Sequence, residues 1–403
     1  MYTALKAAGA ITVMIGIAAC NSTGGSSTLP AANGASALRA PSAREAKLWG
    51  PNAFAACAHP RNGSAQCGAL IGLGRSKVPS GGSGPNGGYA PAQLQEAYNL
   101  PSATKGTGQV VAVVDAYDNP DVASDLGFYR SYFGLPAASF TKFNQYGQIG
   151  SYPQGDTGWG AEEDLDVEMV SASCPNCTIY LVEANSEAIS DLQSAEEEAV
   201  TLGAHIVTNS FGMFPDLGCS PCFDASAFDA PGVTYLASGG DFGYGVGMPE
   251  PASFDSVVSV GGTSLYVDRK SKRGFSEKAW LGTGSGCATQ VAKPSWQEDF
   301  GCKYRVANDV AALADLATGP AFYDTYSFNG WLIGGGTSTG TPLLAGIFAL
   351  AGNASSQHGG KTFWEKKHQG ADDLFHIEKG HNGTCSPTYL CTDGTHEYRD
   401  YGG

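Results

Sequence analysis

The sequence predicts an α/β fold: a doubly wound, mostly parallel sheet. Three observations carry that expectation. Short runs rich in Val, Ile and Ala recur along the chain, helix-like stretches separate several of them, and Gly, Ser or Asn follows closely behind. Strand, loop and helix repeated in this way give a parallel sheet covered on both faces. At 403 residues the chain can form one large α/β domain or two smaller ones, and no internal repeat divides it.

In chain order, residues 109–114 are a Val- and Ala-rich run suited to a buried strand, and 122–133 follow as a helix. Residues 178–182 form the second strand, with a charged helix over 187–202. Three more short runs, 205–207, 233–237 and 257–260, continue the sheet. A glycine-rich turn, Gly334-Gly335-Gly336, then leads through Thr337-Ser338-Thr339-Gly340-Thr341-Pro342 into the apolar, helix-forming residues 343–350. In sheets of this kind function collects on the loops at the C-terminal ends of the strands.

The N-terminal region reads differently. Lys6 precedes an apolar run over 7–18 and the small residues Ile17-Ala18-Ala19-Cys20, the layout of a secretory signal over residues 1–20. The last four residues also resemble a bacterial lipobox, in which Cys20 is acylated and attaches the exported protein to a membrane. Residues 21–87 are rich in Gly, Ser, Ala, Pro and Asn, with islands at 45–57 and 67–74. They read as a flexible tether and a short disulfide-closed pro-segment. The main domain is expected over 88–403.

Charge and cysteines narrow the class. A net charge of −15 argues against nucleic-acid and anionic-membrane partners and is compatible with work in acid. Setting Cys20 aside, the remaining cysteines of the eleven fall into close pairs: 57/67, 174/177, 219/222, 287/302 and 385/391. Short-range disulfides in an exported protein account for all of them. The competing reading is a zinc site built from Cys174, Cys177, Cys219 and Cys222.

Ser338 stands where helix N–H groups and the dipole's positive end can lower a hydroxyl pKa and hold negative charge. It can equally be a helix cap. A serine nucleophile needs a base, yet none of the seven histidines lies in a glycine-flanked motif of the subtilisin kind. Carboxylates are concentrated instead in Glu162-Glu163-Asp164-Leu165-Asp166-Val167-Glu168. On a helix, residues four apart share a face, so Glu162 pairs with Asp166 and Asp164 with Glu168. At about 100° per residue the two pairs diverge, so one pair can face inward while the other stays in water.

Taken together these motifs resemble the sedolisins, serine-carboxyl peptidases with a subtilisin-like fold. Gly335-Gly336-Thr337-Ser338-Thr339-Gly340-Thr341-Pro342 is similar to their Ser-Gly-Thr-Ser-x-x-x-Pro, and Glu162, Leu165 and Asp166 to their Glu-x-x-Leu-Asp. Gly239-Gly240-Asp241-Phe242-Gly243 is similar to their Ser-Gly-Asp-Ser-Gly, with two serines replaced. Weaker echoes lie at Asn209-Ser210-Phe211-Gly212, Pro251-Ala252-Ser253 and Val260-Gly261-Gly262-Thr263, and the likeness runs from about Tyr89 to Gly383. The resemblance implies a subtilisin-like three-layer catalytic domain acting on polypeptides as a monomer. It makes Ser338 the nucleophile, Glu162 the base, Asp166 the residue that orients it, and Asp241 the oxyanion donor. An aspartate donates only when protonated, so an acid optimum is expected. Asp115 reads as a supporting acid near the pair or as a loop cap.

The family also carries a calcium site near the C-terminus. Ile377, Gly380, Asn382 and Gly383 align with it, but His376 stands at the first aspartate and Arg399 follows Tyr398 where the second belongs. Calcium prefers carboxylate oxygens, so only a register shift to Asp372, Asp373 or Asp400 restores the site. Two other functions fit parts of the sequence. Gly336-x-Ser338-x-Gly340 also satisfies the esterase elbow, with Asp372 and His376 or His381 as partners. A lipid-anchored pseudopeptidase that binds peptides is the third reading.

Overall fold

A computed structural model describes residues 38–74, 81–215, 222–244, 246–297, 302–366, 374–375 and 377–383. The signal segment, Cys20, Cys219, Asp372, Asp373, His376, Cys385, Cys391, Arg399 and Asp400 lie outside those residues.

The chain begins with α1 (Glu45–Trp49), β1 (Ala53–Ala55), β2 (Gln66–Cys67) and β3 (Leu70–Gly72), then α2 (Pro91–Ala97) and β4 (Val110–Ala116). It continues through α3 (Val122–Phe133), β5 (Ser139–Asn144), α4 (Thr157–Ser173), β6 (Thr178–Ala184), α5 (Ile189–Thr201), β7 (Ile206–Asn209), β8 (Phe211–Gly212) and β9 (Thr234–Ser238). The last half carries β10 (Val257–Val267), β11 (Phe275–Ala279), β12 (Gly286–Ala292), β13 (Tyr304–Ala307), β14 (Val310–Leu313), β15 (Ala321–Asp324), β16 (Gly330–Gly335), α6 (Thr337–Ala351) and α7 (Lys361–Lys366).

The main sheet runs β11-β10-β9-β7-β4-β6-β5, with β14 paired to β10. Every pairing in it is parallel except β10 with β11. Central strands of such a sheet are covered on both faces, which is why β4 reads as an unbroken apolar run. Val111, Ala112, Val113 and Val114 are all fully buried. The doubly wound α/β expectation is met. Strand β5, at the sheet edge, and the later strands β11–β16 were not anticipated, because short edge and antiparallel strands lack that run of apolar residues.

A second sheet, β1-β3-β16-β15, joins the N-terminal islands to the strand before Ser338. Trp49, Ala53, Ala55 and Leu70 share a small core there with Trp280, Ala314, Leu316 and Ile333. Disulfides Cys57–Cys67, Cys174–Cys177 and Cys287–Cys302 are formed. Cys174 and Cys177 therefore pair with each other and are not ligands of a zinc ion.

Candidate active site

Helix α6 begins one residue before Ser338. Gly336 is its N-cap and takes φ +89°, a left-handed conformation open to glycine. Pro342 sits inside the helix and has no N–H to give the Ser338 carbonyl. The Ser210 hydroxyl donates to that carbonyl instead, at 3.4 Å. The Ser338 hydroxyl in turn reaches the Ser210 carbonyl at 3.4 Å.

Helix α4 supplies the carboxyls. Asp156 caps it, accepting from the N–H groups of Gly158 and Trp159 at 2.8 and 3.0 Å. The expectation that one acidic pair stays in water is wrong. Glu162, Asp164, Asp166 and Glu168 are all 0% exposed. The helix is enclosed on every side: α6, α3, α2, β4, β15 and the N-terminal β2 all pack on it. Sequence periodicity places residues around a helix axis but does not say how many sides are covered.

Glu162 faces Ser338. Burial pushes its pKa up to about 8, against the lowering effect of the nearby Ser338 hydroxyl and the hydrogen bond from the Ala69 N–H. The Ala69 bond is 2.6 Å to Oε2. Asp166 is raised by burial and then by the charges of Asp115 and Glu162, and it lies beside Glu162 and Ser210. Asp115, at the end of β4, is raised by burial and by Glu162 and Glu183. It stands beside the pair. Two buried carboxylates this close share a proton more readily than both ionise.

Asp241 follows β9 and approaches from the other side. Its Oδ1 accepts from the Thr337 N–H at 2.7 Å and the Thr337 hydroxyl at 3.0 Å. Burial raises its pKa to about 7 in spite of those bonds. Ser338, Glu162, Asp166 and Asp241 thus lie together, Asp241 lining a cleft with Gly68, Ser210, Phe214, Phe242 and Pro249 and the other three buried behind it.

Sequence reasoning missed three parts of this site. Gly68 and Ala69 lie in the cleft, with the Gly68 N–H on the Ser210 carbonyl at 3.1 Å. Their signal was the cystine ending at Cys67 just before an apolar run. Glu163 and Glu183 extend the carboxyl cluster behind Asp115, and Lys142 neutralises it through Glu183 at 3.1 Å. Thr337 was visible only as part of a motif.

The described part of the calcium loop is held by hydrogen bonds within the protein, while the buried Asn382 Oδ1 has no partner among the described residues. The Asn382 carbonyl accepts from the Tyr244 N–H at 2.7 Å, and the Asn382 amide donates to the Thr283 carbonyl and the Ser285 hydroxyl. Ile377 is buried, and Gly380 pairs with Ala279. Among the described residues, the group of three carboxylates near enough to share an ion is Asp125, Asp164 and Asp324, elsewhere on the molecule.

No family model matches the chain. It is 29% identical over 300 residues to kumamolisin of Bacillus sp. (strain MN-32), covering 65% of this chain and 51% of that protein. It is 24% identical over 347 residues to sedolisin of Pseudomonas sp. (strain 101), covering 77% of this chain and 58% of that one. The chain therefore spans little more than half the length of these relatives. In fold it resembles Pseudomonas sedolisin, a serine-carboxyl proteinase solved with two molecules of pseudo-iodotyrostatin. The TM-score is 0.64 at 24% identity, over 73% of this chain and 89% of that one. The chain is therefore similar to the sedolisins in sequence and shares their fold.

Proposed function

We propose that the protein is a serine-carboxyl endopeptidase that hydrolyses peptide bonds of polypeptides in acid through an acyl-enzyme. The grouping of Ser338, Glu162, Asp166 and Asp241 at one cleft is the observation that carries this reading. Ser338 attacks the carbonyl carbon and Glu162 takes its proton, with Asp166 holding Glu162 in place. Protonated Asp241 donates to the oxyanion. Glu162 then returns the proton to the leaving nitrogen, and water releases the acyl group by the same route.

The pH dependence follows from Asp241. Its pKa near 7 leaves it a donor below that pH and a repelling carboxylate above it. Activity should fall as pH rises through about 7. No step of this mechanism runs through calcium.

Export, with residues 1–20 as signal and Cys20 as a lipid attachment point, belongs to the same proposal, as does a monomeric enzyme with no nucleic-acid partner. The disulfides support an oxidising compartment. No helix among the described residues is long and apolar enough to cross a membrane.

The test is digestion of denatured casein between pH 3 and 8 by the wild type, Ser338→Ala and Glu162→Ala. A peptidase of this kind loses activity in both variants. An esterase working through histidine would survive Glu162→Ala on an ester substrate. A folded wild type whose casein cleavage does not depend on Ser338 would overturn the reading in favour of a peptide binder.

A further inference from the structure

The two carboxyl oxygens of Asp241 have different surroundings. Oδ1 accepts twice from Thr337, from its N–H at 2.7 Å and from its hydroxyl at 3.0 Å. That N–H is one of the free donors at the start of α6, which the N-cap residue Gly336 has no side chain to meet. Oδ2 is turned the other way. A Cβ built on Gly68 would stand 3.2 Å from it and 2.7 Å from Ser338 Oγ, and one built on Gly336 would stand 2.9 Å from it. Oδ2 is therefore the oxygen on the side of the nucleophile.

The direction of the Thr337 hydroxyl is fixed. Its oxygen accepts from the Gly240 N–H at 3.2 Å, and an N–H can only donate. The hydroxyl hydrogen is thus left for Asp241 Oδ1. Gly240 is itself held in place. It takes φ +92°, a conformation open to glycine, and its carbonyl accepts from the Gly284 N–H at 2.6 Å. The Gly284 carbonyl accepts in turn from Asn308 Nδ2 at 2.9 Å. Thr337 and Asn308 are both buried. A carboxylic acid carries its proton on one oxygen and accepts at the other. A proton on Oδ1 would meet two hydrogens already aimed at that atom, whereas a proton on Oδ2 conflicts with neither.

Resting on the peptidase reading above, we propose that Thr337 is a positioning residue for the reaction: it keeps Asp241 Oδ1 an acceptor and so places the acid's proton on Oδ2, beside Ser338, where the oxyanion develops. Without the hydroxyl the acid can carry its proton on either oxygen, and only one of the two arrangements serves catalysis. The same hydroxyl favours the ionised form. Burial raises the Asp241 pKa to about 7 against the lowering effect of both Thr337 bonds. Thr337 therefore lowers the alkaline limit of activity while it holds the proton in the useful place. The charged groups around Asp241 are Glu162 on α4 and Arg44 just before α1, whose Nη2 donates to the Phe242 carbonyl at 3.3 Å. Both are unchanged in the variants below.

The experiment measures kcat and KM on a soluble peptide from pH 3 to 8 for the wild type, Ser338→Ala, Thr337→Val, Thr337→Ala and Thr337→Ser. Thr337→Val keeps the shape and removes the hydroxyl. It should lower kcat on the acid plateau by about tenfold with KM unchanged. Its alkaline limb should move up by about one pH unit, because the ionised form of Asp241 has lost a donor. Thr337→Ala, which also lacks the hydroxyl, should move the limb the same way. Thr337→Ser keeps the hydroxyl and should restore both the rate and the limb. The limb is read within each variant, so its position does not depend on how much protein folds. A limb that stays in place or moves down in Thr337→Val and Thr337→Ala overturns the inference and leaves the peptidase reading standing. So does Thr337→Ser behaving like Thr337→Val, or a loss confined to KM. Wild-type cleavage that does not depend on Ser338 overturns the peptidase reading and this inference with it.

Discussion

The two faces of α4 bury the same chemistry in different company. On one, Glu162 and Asp166 sit four residues apart beside Ser338. On the other, Asp164 and Glu168 sit four apart beside Asp125 and Asp324. All of these carboxyls are raised by burial, and Asp324 reaches about 7, close to Asp241. A perturbed acid in the interior therefore does not by itself mark a reactive site.

The donors differ. On the second face the fixed structure supplies them: Thr325 N–H and hydroxyl to Asp125, Ser327 N–H to Asp324, Tyr323 N–H to Glu168 and Asn119 to Asp164. These bonds clasp residues 323–328 to α3 and α4. On the first face Glu162 is met by a side-chain hydroxyl and by the N–H of Ala69, a group on a segment lying in an open-ended cleft. Donors that another peptide can replace make a site; donors built into the fold make a clasp.

Kinetics should break or sharpen this contrast, beginning with the largest effect. Glu162→Gln removes the proton acceptor and should lower kcat by about 10²–10⁴-fold. Asp164→Asn, two residues along the helix, should leave kcat near the wild-type value. Equal losses in the two variants, with both folded, would dissolve the contrast. Asp241 gives a smaller and more specific effect. Asp241→Ala should cost about 10²–10³-fold in kcat, the usual range for one oxyanion donor. Asp241→Asn keeps a donor at every pH, so the fall in rate above pH 7 should flatten. A pH–rate profile unchanged in Asp241→Asn would mean that another group sets the alkaline limb.

Much of this was legible in the sequence, for identifiable reasons. Central strands such as β4 announce themselves because both faces are buried, and 122–133 matched α3 from end to end. Helix α6 starts at Thr337, earlier than its apolar run, because the Gly336 cap and not hydrophobicity sets its beginning. Ser338, Glu162, Asp166 and Asp241 were readable as motifs because each sits in a turn or helix with a fixed pattern. The N-terminal segment's position was not. Gly68 and Ala69 reach the cleft through pairing with β8 and β16, strands far away in sequence, and no local periodicity encodes such a contact. Enclosure of both faces of α4 was hidden for the same reason.

Stability offers the finest test. Glu162, Glu183 and Glu196 titrate near 8 in the fold, and Asp241 and Asp324 near 7. In the unfolded chain all five return to about 4. Between those values the folded protein holds more protons than the unfolded one, so unfolding free energy decreases with rising pH. The contribution is complete below about pH 4 and is lost through about pH 7–8. Each extra proton held is worth about 1.4 kcal/mol per pH unit across that window. Calorimetry from pH 4 to 8 should therefore show Tm falling steadily, and a Tm that climbs over this range would mean these carboxyls are not buried as described. Asp324→Asn and Glu162→Gln should each make the decline shallower, since either removes one proton-holding group. Both faces of α4 would then contribute alike to the pH slope of stability, while of the two variants Glu162→Gln alone lowers turnover. That pairing separates burial, which the two faces share, from access to a peptide, which belongs to one.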